Sequence, residues 1–295
     1  MNELLAQQKM NKTKISTPIQ GCMTWGKWGA NFATKAYQQQ IEVCLDLGVS
    51  TFDHADIYGG YTTEAEFGKA LAEMNLQRDS FQLISKCGIQ MENFRENATK
   101  HYQYDAAYIL KSAEQSLQNL QTDYLDVFLL HRPSPLMQVT EIQKAVAQLL
   151  QQGKIKGFGV SNFNIQQMAL LQKVVSIDYN QIQIALTYSD SLTNGLLDYM
   201  QTHQIQPMAW NPLGSYFKSI TPKLQKSVQK MATKYKATED QILLAWLHKH
   251  PSQIIPVMGT TNSNRVQSAK ESTKIQLELQ DWFVLWEAAR GKQVD

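Results

Sequence analysis

The segment "VSTFDHADIYGG", residues 49–60, contains the pattern that decides the fold: an apolar run, a cluster of polar side chains and a Gly-Gly pair. A helical pattern, "EAEFGKALAEM", follows at residues 64–74. A short β-prone run, a polar loop and a helix make up the repeating unit of a parallel sheet, because the helix returns the chain to the start of the next strand. The segment therefore predicts one βα unit whose strand ends in polar residues.

The same unit recurs about eight times between residues 17 and 270. The eight β-prone segments are "TPIQGCMTW" (17–25), "VSTFDHA" (49–55), "FQLISKCG" (81–88), "LDVFLLH" (125–131), "IKGFGVSN" (155–162), "YNQIQIAL" (179–186), "QPMAWNP" (206–212) and "IIPVMG" (254–259). Strands that alternate with helices pair in parallel through right-handed crossovers, and eight such units close most simply into a barrel. An open doubly wound sheet is the rival fold, but no G-x-G-x-x-G follows the first strand.

We therefore predict an α/β fold, a (β/α)8 TIM barrel, with an additional C-terminal helix. That helix is predicted from "LQDWFVLWEAARG", residues 279–291, because Trp282, Leu285 and Trp286 lie on one face at helical spacing. A length of 295 residues is normal for one large barrel, so we expect a single domain over residues 1–295.

Composition excludes several classes of function. No window approaches the 18 or more apolar residues of a membrane span, and a net charge of +2 with mixed signs leaves no basic stripe for nucleic acid. Cys22, Cys44 and Cys87 are widely spaced and have no metal-ligand spacing, so we expect reduced thiols and no metal site. The first 14 residues lack an apolar signal core. We expect a cytoplasmic protein, most simply a monomer, whose partner is a small molecule.

Polar residues fall at the carboxyl ends of four successive predicted strands. Asp53, Lys86 and His131 each end one apolar run, and Ser161 with Asn162 ends the next. Alone, a lysine after a strand is usually solvated and a histidine in an apolar run usually belongs to the core. In an eight-stranded barrel, however, these strand ends share the face that carries the active site. We therefore predict that the four positions form one site.

The residue types at these positions fit a tyrosine that acts as an acid. An unperturbed phenol has a pKa of about 10, so proton donation near neutral pH calls for lowering it by roughly 3 units, or about 4 kcal/mol. An ammonium about 4 Å away supplies about 4 kcal/mol at an effective dielectric of about 20, so Lys86 facing Tyr58 would suffice. Asp53 would hold Lys86, and His131 would orient a substrate oxygen. No side chain is an evident hydride source, so a cofactor must supply the hydride.

These motifs together resemble the aldo-keto reductase family over roughly residues 17–290. The matching segments are "FDHADIYG", "LISKCG", "YLDVFLLHRP", "GKIKGFGVSNF", "NQIQ" and "PVMGTTNSNRV", in the order that the family has them. The sequence of residues 52–71 is most similar to a bacterial branch of general oxidoreductases within that family. The resemblance implies a (β/α)8 barrel that binds NADPH, or less often NADH, without a Rossmann domain and reduces aldehydes or ketones.

The resemblance also implies roles for individual positions. Asp53, Tyr58, Lys86 and His131 would form the catalytic tetrad. The cofactor contacts would be Thr24 and Trp25 after the first strand; Ser161, Asn162 and Gln181 at the nicotinamide carboxamide; Trp210 on the nicotinamide ring; Asn211, Leu213, Gly214 and Ser215 along the pyrophosphate; and Met258, Gly259, Thr260, Thr261 and Arg265 at the adenosine phosphate. Gly259 stands where many relatives have a phosphate-binding lysine, so we expect a reduced preference for NADPH.

Two other functions stay open at this stage. Some members of the family with an intact tetrad serve as regulatory or sensor subunits that bind the cofactor, and a (β/α)8 lyase or isomerase could use Lys86 as a Schiff-base amine. The substrate would be set by loops that include Trp25, Trp28, residues 132–137 and Tyr216. Their aromatic side chains predict an apolar or ring-bearing carbonyl compound.

Overall fold

The computed structural model describes residues 15–294. Residues 1–14, in which the sequence analysis found no apolar signal core, lie outside the described residues. The strands are β1 (Ile19–Gly21), β2 (Thr51–Asp53), β3 (Gln82–Cys87), β4 (Ile89–Gln90), β5 (His101–Tyr102), β6 (Leu125–Leu130), β7 (Ile155–Ser161), β8 (Tyr179–Gln183), β9 (Gln206–Trp210) and β10 (Ile255–Met258). Eight of them form a closed barrel in the order β1-β10-β9-β8-β7-β6-β3-β2, and every neighbouring pair is parallel.

The helices are α1 (Thr34–Asp46), α2 (Tyr58–Tyr61), α3 (Thr63–Ala72), α4 (Ala106–Leu120), α5 (Val139–Gln151), α6 (Ile165–Leu171), α7 (Leu196–Thr202), α8 (Pro222–Tyr235), α9 (Glu239–His248), α10 (Ser263–Ser272) and α11 (Leu279–Arg290). The predicted (β/α)8 barrel is confirmed. Strands β4 and β5 form an antiparallel hairpin outside the barrel, which the sequence pattern did not predict. Within residues 15–294, no helix has the length and apolar character needed to cross a membrane.

The barrel interior explains how the strands place polar groups at one end. Its apolar core consists mainly of inward-facing strand side chains: Ile19, Ile84, Val127, Leu129, Tyr179, Met208, Ile255 and Val257. Side chains two positions apart on a strand share a face, so the next inward positions after Ile84, Tyr179 and Met208 are Lys86, Gln181 and Trp210. An apolar core thus ends in a polar layer at the carboxyl ends of the strands.

The C-terminal helix is held to the barrel by a tryptophan pair. Trp282 of α11 stacks on Trp246 of α9 with ring centroids 4.9 Å apart and planes 6° apart. Each indole N–H donates to the other residue's carbonyl oxygen, at 2.9 and 3.2 Å. Leu285 is buried on the same face. The predicted helix and its apolar face are confirmed.

Two buried carboxyl groups lie between β3 and the helices α3 and α4. Asp56 accepts hydrogen bonds from Tyr108 at 3.4 Å and Ser112 at 3.3 Å, while its second oxygen has no partner among the described residues. Glu64 accepts from Ser85 and Asn119. Burial, with the nearby Glu64 carboxyl, raises the pKa of Asp56 from 3.8 to about 7. In the folded protein, Asp56 therefore stays mostly protonated up to about pH 7.

We expect Asp56 to make the stability depend on pH. Between its unfolded pKa near 3.8 and its folded pKa near 7, the unfolded state releases the Asp56 proton first, so the stability from this group is full at low pH and is lost as the pH rises. Asp56→Asn should raise the free energy of unfolding by roughly 1–4 kcal/mol at pH 8 and change it little at pH 4. Urea unfolding at both pH values tests this, with the exposed Asp123→Asn as control. An equal effect at both pH values would refute it.

Candidate active site

The site is organised around the ammonium group of Lys86, on β3, which is completely buried. Its Nζ donates to Asp53 Oδ2 at 2.6 Å, to the His54 carbonyl oxygen at 2.7 Å and to the Tyr58 hydroxyl at 3.2 Å. An ammonium has three protons, so all of its donors are used. The structure thus brings Asp53, Lys86 and Tyr58 together, as the sequence predicted.

The charges in this group are set by burial and by the ion pair. Burial by itself lowers the pKa of Lys86, but Asp53 and Tyr58 raise it, and the net pKa lies above the usual 10.5. Burial also raises the pKa of Tyr58 above 10.0; Lys86 lowers it in part and Asp53 raises it again. The predicted net lowering of the Tyr58 pKa is therefore wrong in this structure, because loss of solvent and the carboxylate outweigh the ammonium. Tyr58 stays a protonated phenol and Lys86 stays charged.

His131 follows β6 and lies beside the phenol. Its ring centroid is 6.1 Å from that of Tyr58, and its Nδ1 has no hydrogen-bond partner among the described residues. Burial, with the positive charges of Lys86, Arg132 and Lys100, holds the pKa of His131 well below its usual value. The imidazole is therefore neutral, with one N–H able to donate to an oxygen.

A second hydrogen-bonded group occupies the ends of β7, β8 and β9. Asn162 donates to Ser161 Oγ at 2.7 Å, and the Trp210 indole donates to Asn162 Oδ1 at 2.9 Å. Ser161 Oγ donates to the Gln181 carbonyl oxygen at 2.9 Å, and the Gln181 amide donates to Asp53 Oδ1 at 2.9 Å. The four residues that the resemblance assigns to the nicotinamide are thus adjacent, and they touch the tetrad through Asp53.

A cavity of about 220 Å³ lies along the end of β8 and the loops after β8 and β9. It is lined by Gln183, Thr187, Tyr188, Asn211, Gly214, Ser215 and Lys218. Gly214 has a φ of 57°, and a Cβ there would lie 2.0 Å from Thr187 Oγ1. Only glycine permits this close approach of the two loops. Ser215 and Lys218 supply a hydroxyl and a cation that suit a phosphate.

The loop after β10 is held by β1 and the segment that follows it. Gln20 Nε2 donates to the Thr260 carbonyl oxygen at 3.0 Å, and Thr24 Oγ1 donates to that of Gly259 at 3.0 Å. The backbone N–H of Arg265 donates to the Asn262 side chain at 3.2 Å, which begins α10. The guanidinium of Arg265 is exposed and contacts no acceptor within residues 15–294. It is free to bind an anion.

The remaining predicted residues of this loop are placed differently from one another. The Met258 side chain is buried, so only its main chain can face a ligand, whereas Thr261 is half-buried. Gly259 is exposed, and a Cβ added there would meet no atom within 4 Å. A longer side chain at Gly259 would therefore be tolerated.

Two aromatic residues predicted to face ligands do not do so. Trp25 is completely buried against Phe32, Tyr37, Phe52 and Phe67. Tyr216 is only 2% exposed. The predicted ligand contacts of both rings are wrong, because the rings belong to the hydrophobic core, whereas a cofactor contact through the Trp25 main chain stays a prediction. Trp28, in contrast, is 42% exposed with its ring 6.2 Å from Tyr58, so it can contact a substrate.

The sequence analysis included Arg132 only as part of the substrate loop of residues 132–137, and the structure gives it a specific position. Its Nη1 donates to the His131 carbonyl oxygen at 3.1 Å and to Ser161 Oγ at 3.4 Å, and the guanidinium lies 5.8 Å from the Trp210 ring centre. Its position directly after His131, at the end of a strand, was the available signal. Arg132 places a positive charge at the mouth of the site.

His54 and Asp56 belong to the conspicuous polar segment but face away from the site. The His54 ring packs on Phe67 at 4.4 Å, and only its main-chain carbonyl reaches Lys86. The Asp56 carboxyl faces α4. Of the ionisable side chains at residues 53–58, the site therefore uses the carboxylate of Asp53 and the phenol of Tyr58.

Comparison with known proteins agrees with this geometry. The model of the aldo/keto reductase family matches residues 19–288. A 6-dehydroglucose reductase of Agrobacterium fabrum is 38% identical over 290 residues, which cover 96% of this chain and 97% of that protein. The oxidoreductase YdhF of Escherichia coli is 39% identical over 279 residues, covering 92% and 93%.

A solved structure of an aldo/keto reductase from Klebsiella pneumoniae, in complex with NADP and acetate, superimposes with a TM-score of 0.74. It is 25% identical, and the match covers 90% of this chain and 89% of that one. The family match spans all eight barrel strands, and the resemblance drawn from the motifs is confirmed. This chain is therefore an oxidoreductase that belongs to the aldo/keto reductase family.

Proposed function

We propose that the protein reduces an aldehyde or ketone to an alcohol with NADPH, and that Tyr58 is the general acid. The observation that carries this proposal is the buried contact of Lys86 Nζ with both Asp53 and the Tyr58 hydroxyl. Because Lys86 donates to the phenol oxygen, the phenol's own proton points elsewhere and can pass to a substrate oxygen. The same ammonium then stabilises the phenolate that remains.

His131 is proposed to place the carbonyl oxygen. As a neutral imidazole beside the phenol, it donates one hydrogen bond to the oxygen that Tyr58 protonates. Without the hydrogen bond from His131, the substrate oxygen would be free to turn away from the Tyr58 hydroxyl. The two side chains together define where negative charge develops during reduction.

The residues present fit NADPH, which when bound supplies the hydride that reduces the carbonyl carbon. Ser161, Asn162 and Gln181 offer hydroxyl and amide groups that match a carboxamide, and Trp210 offers a flat ring. Asn211, Leu213, Gly214 and Ser215 would follow the pyrophosphate, and the segment from Met258 to Thr261 with Thr24 and Arg265 would surround the adenosine phosphate. The complex of the Klebsiella protein with NADP supports NADPH as the cofactor.

The substrate is proposed to be a hydroxylated, sugar-like aldehyde rather than a purely apolar carbonyl compound. With Trp25 and Tyr216 buried, Trp28 is the one exposed ring of the three aromatic residues that the sequence analysis assigned to the substrate loops, and Arg132 adds a guanidinium. An aromatic face beside a polar donor suits a hydroxylated chain. The name of the Agrobacterium relative, a 6-dehydroglucose reductase, supports the same class.

Tyr58→Phe should lower kcat by at least about 10²-fold, because it removes the acid and keeps the ring. Turnover of glyceraldehyde and 6-dehydroglucose is followed by NADPH absorbance, and the Kd for NADPH by tryptophan fluorescence. The Kd should stay nearly unchanged. Tyr61→Phe is the control, since that hydroxyl bonds Ile89 and Met91 instead of Lys86.

Near wild-type turnover in Tyr58→Phe would overturn the assignment of the acid. Negligible turnover of every carbonyl compound by the wild type, combined with tight NADPH binding, would instead favour the regulatory subunit. Reduction by borohydride that traps a substrate on Lys86 would favour the Schiff-base alternative.

Arg132→Leu should raise the KM for hydroxylated aldehydes by at least roughly 10-fold, the size of one hydrogen bond from a charged group. The KM for benzaldehyde, which has no hydroxyl to bind, should change little. Because Arg132 also contacts Ser161, the Kd for NADPH is measured in parallel. An equal rise in KM for both substrates would contradict the proposed substrate class.

Arg265 is predicted to make NADPH bind better than NADH. A hydrogen bond from its guanidinium to the 2′-phosphate is worth about 1.5–3 kcal/mol, or roughly 10- to 150-fold in Kd. Arg265→Ala should remove most of that preference, whereas the exposed Gln267→Ala on the same helix should not. Gly259→Lys should increase it, because the site has space for the side chain. Equal affinities in the wild type would refute the role of Arg265.

A further inference from the structure

The hydrogen bond from Gln181 to Asp53 crosses the mouth of the barrel. In the closed strand order, β8 lies four strands from β2 in either direction, so these strands face each other across the interior. Gln181 Nε2 nevertheless reaches Asp53 Oδ1 at 2.9 Å. Neither residue can make this contact through the backbone pairing of neighbouring strands, so the contact depends on the two side chains alone.

Asp53 is held from both sides by this arrangement. One carboxylate oxygen accepts from Lys86 at 2.6 Å and the other from Gln181, and both Asp53 and Gln181 are buried. A buried carboxylate whose two oxygens have different partners has one preferred orientation, since rotation would break either bond. The chain of contacts therefore runs from Gln181 through Asp53 and Lys86 to the Tyr58 hydroxyl.

Ser161, Asn162, Gln181 and Trp210 are called the cofactor seat below. We propose that Gln181, in addition to its place in this seat, is a positioning residue of the proton donor: its bond to Asp53 fixes the carboxylate that keeps Lys86 against the Tyr58 hydroxyl. This inference rests on the proposed function in that it takes Tyr58 as the acid. It predicts that the cofactor seat and the proton donor share one network, so a change in the first alters the second without any change in the tetrad itself.

Loss of the Gln181 donor should weaken Tyr58 as an acid. Asp53 Oδ1 would be buried without a partner, and the carboxylate could turn to engage Lys86 with both oxygens. More of the ammonium charge would then be neutralised by Asp53, and less would act on the phenol. The pKa of Tyr58 should therefore rise, because the positive charge that opposes burial is reduced.

The test is Gln181→Met, which keeps the length of the side chain and removes the donor. Carbon-13 labelled tyrosine in the cofactor-free protein reports the titration of Tyr58, whose resonance is assigned with Tyr58→Phe. We expect the Tyr58 pKa to rise by roughly half a unit or more, with kcat at saturating NADPH falling about 10-fold and its alkaline limb moving the same way.

Asn162→Ala is the matched control, because Asn162 lies in the same seat but bonds Ser161 and Trp210 and not Asp53. It should weaken NADPH binding and leave the Tyr58 titration unchanged. If Gln181→Met does not fold, Gln181→Glu keeps the shape and places a carboxyl beside Asp53, and its Tyr58 pKa should rise at least as much.

An unchanged Tyr58 titration in the folded Gln181 variant, with only a weaker Kd for NADPH, would overturn the inference and leave Gln181 as a cofactor contact. Because the titration uses no substrate and no cofactor, it separates this result from a failure of the proposed function. That failure would appear as absence of turnover in the wild type whatever the titration shows.

Discussion

A charged ammonium inside a barrel is the constraint on which the rest of the site depends. Removing Lys86 from water costs several kcal/mol, and only closely placed acceptors offset that cost. The structure supplies three: the Asp53 carboxylate, the His54 carbonyl and the Tyr58 hydroxyl. Each comes from the short segment that ends β2 and begins α2. The geometry of that segment is therefore tied to the charge on Lys86. A substitution that removes one of these acceptors should lower the stability of the fold as well as the catalytic activity.

Because the barrel is closed, residues that are far apart in the sequence, such as Asp53 and Gln181, join one hydrogen-bond network. Strands β2 and β3 are neighbours, which explains the pairing of Asp53 with Lys86. Gln181 reaches the same carboxylate from the opposite wall, which an open sheet would not allow. The apolar layer beneath excludes water from these groups. Their hydrogen bonds consequently act in a medium of low dielectric, where orientation has a large effect on charge.

Strand ends and the tetrad could be predicted from the sequence because their signals are periodic: apolar runs alternate with helices, and polar residues recur where the runs stop. The burial of Trp25 and Tyr216 could not be predicted, because a loop lacks the regular spacing of apolar residues that distinguishes buried from exposed positions in helices and strands. The β4–β5 hairpin was missed since its strands have only two residues each. The direction of the Tyr58 pKa was also missed, because a pairwise estimate of the Lys86 charge leaves out burial and the neutralising effect of Asp53.

The pairing of Lys86 with Asp53 has a consequence for how the site attracts its ligands. Opposite charges 2.6 Å apart largely cancel at a distance, so the pair of Lys86 and Asp53 contributes little to the long-range electrostatic field of the active face. Positive charge at that face comes instead from residues outside the tetrad: Arg132 at the mouth, Lys218 in the cavity and Arg265 on α10. Attraction of anionic or polar ligands is thereby separated from proton donation. Substitutions at Lys218 and Arg265 can therefore change which ligand binds while the acid at Tyr58 keeps its environment, whereas Arg132 also contacts His131 and Ser161.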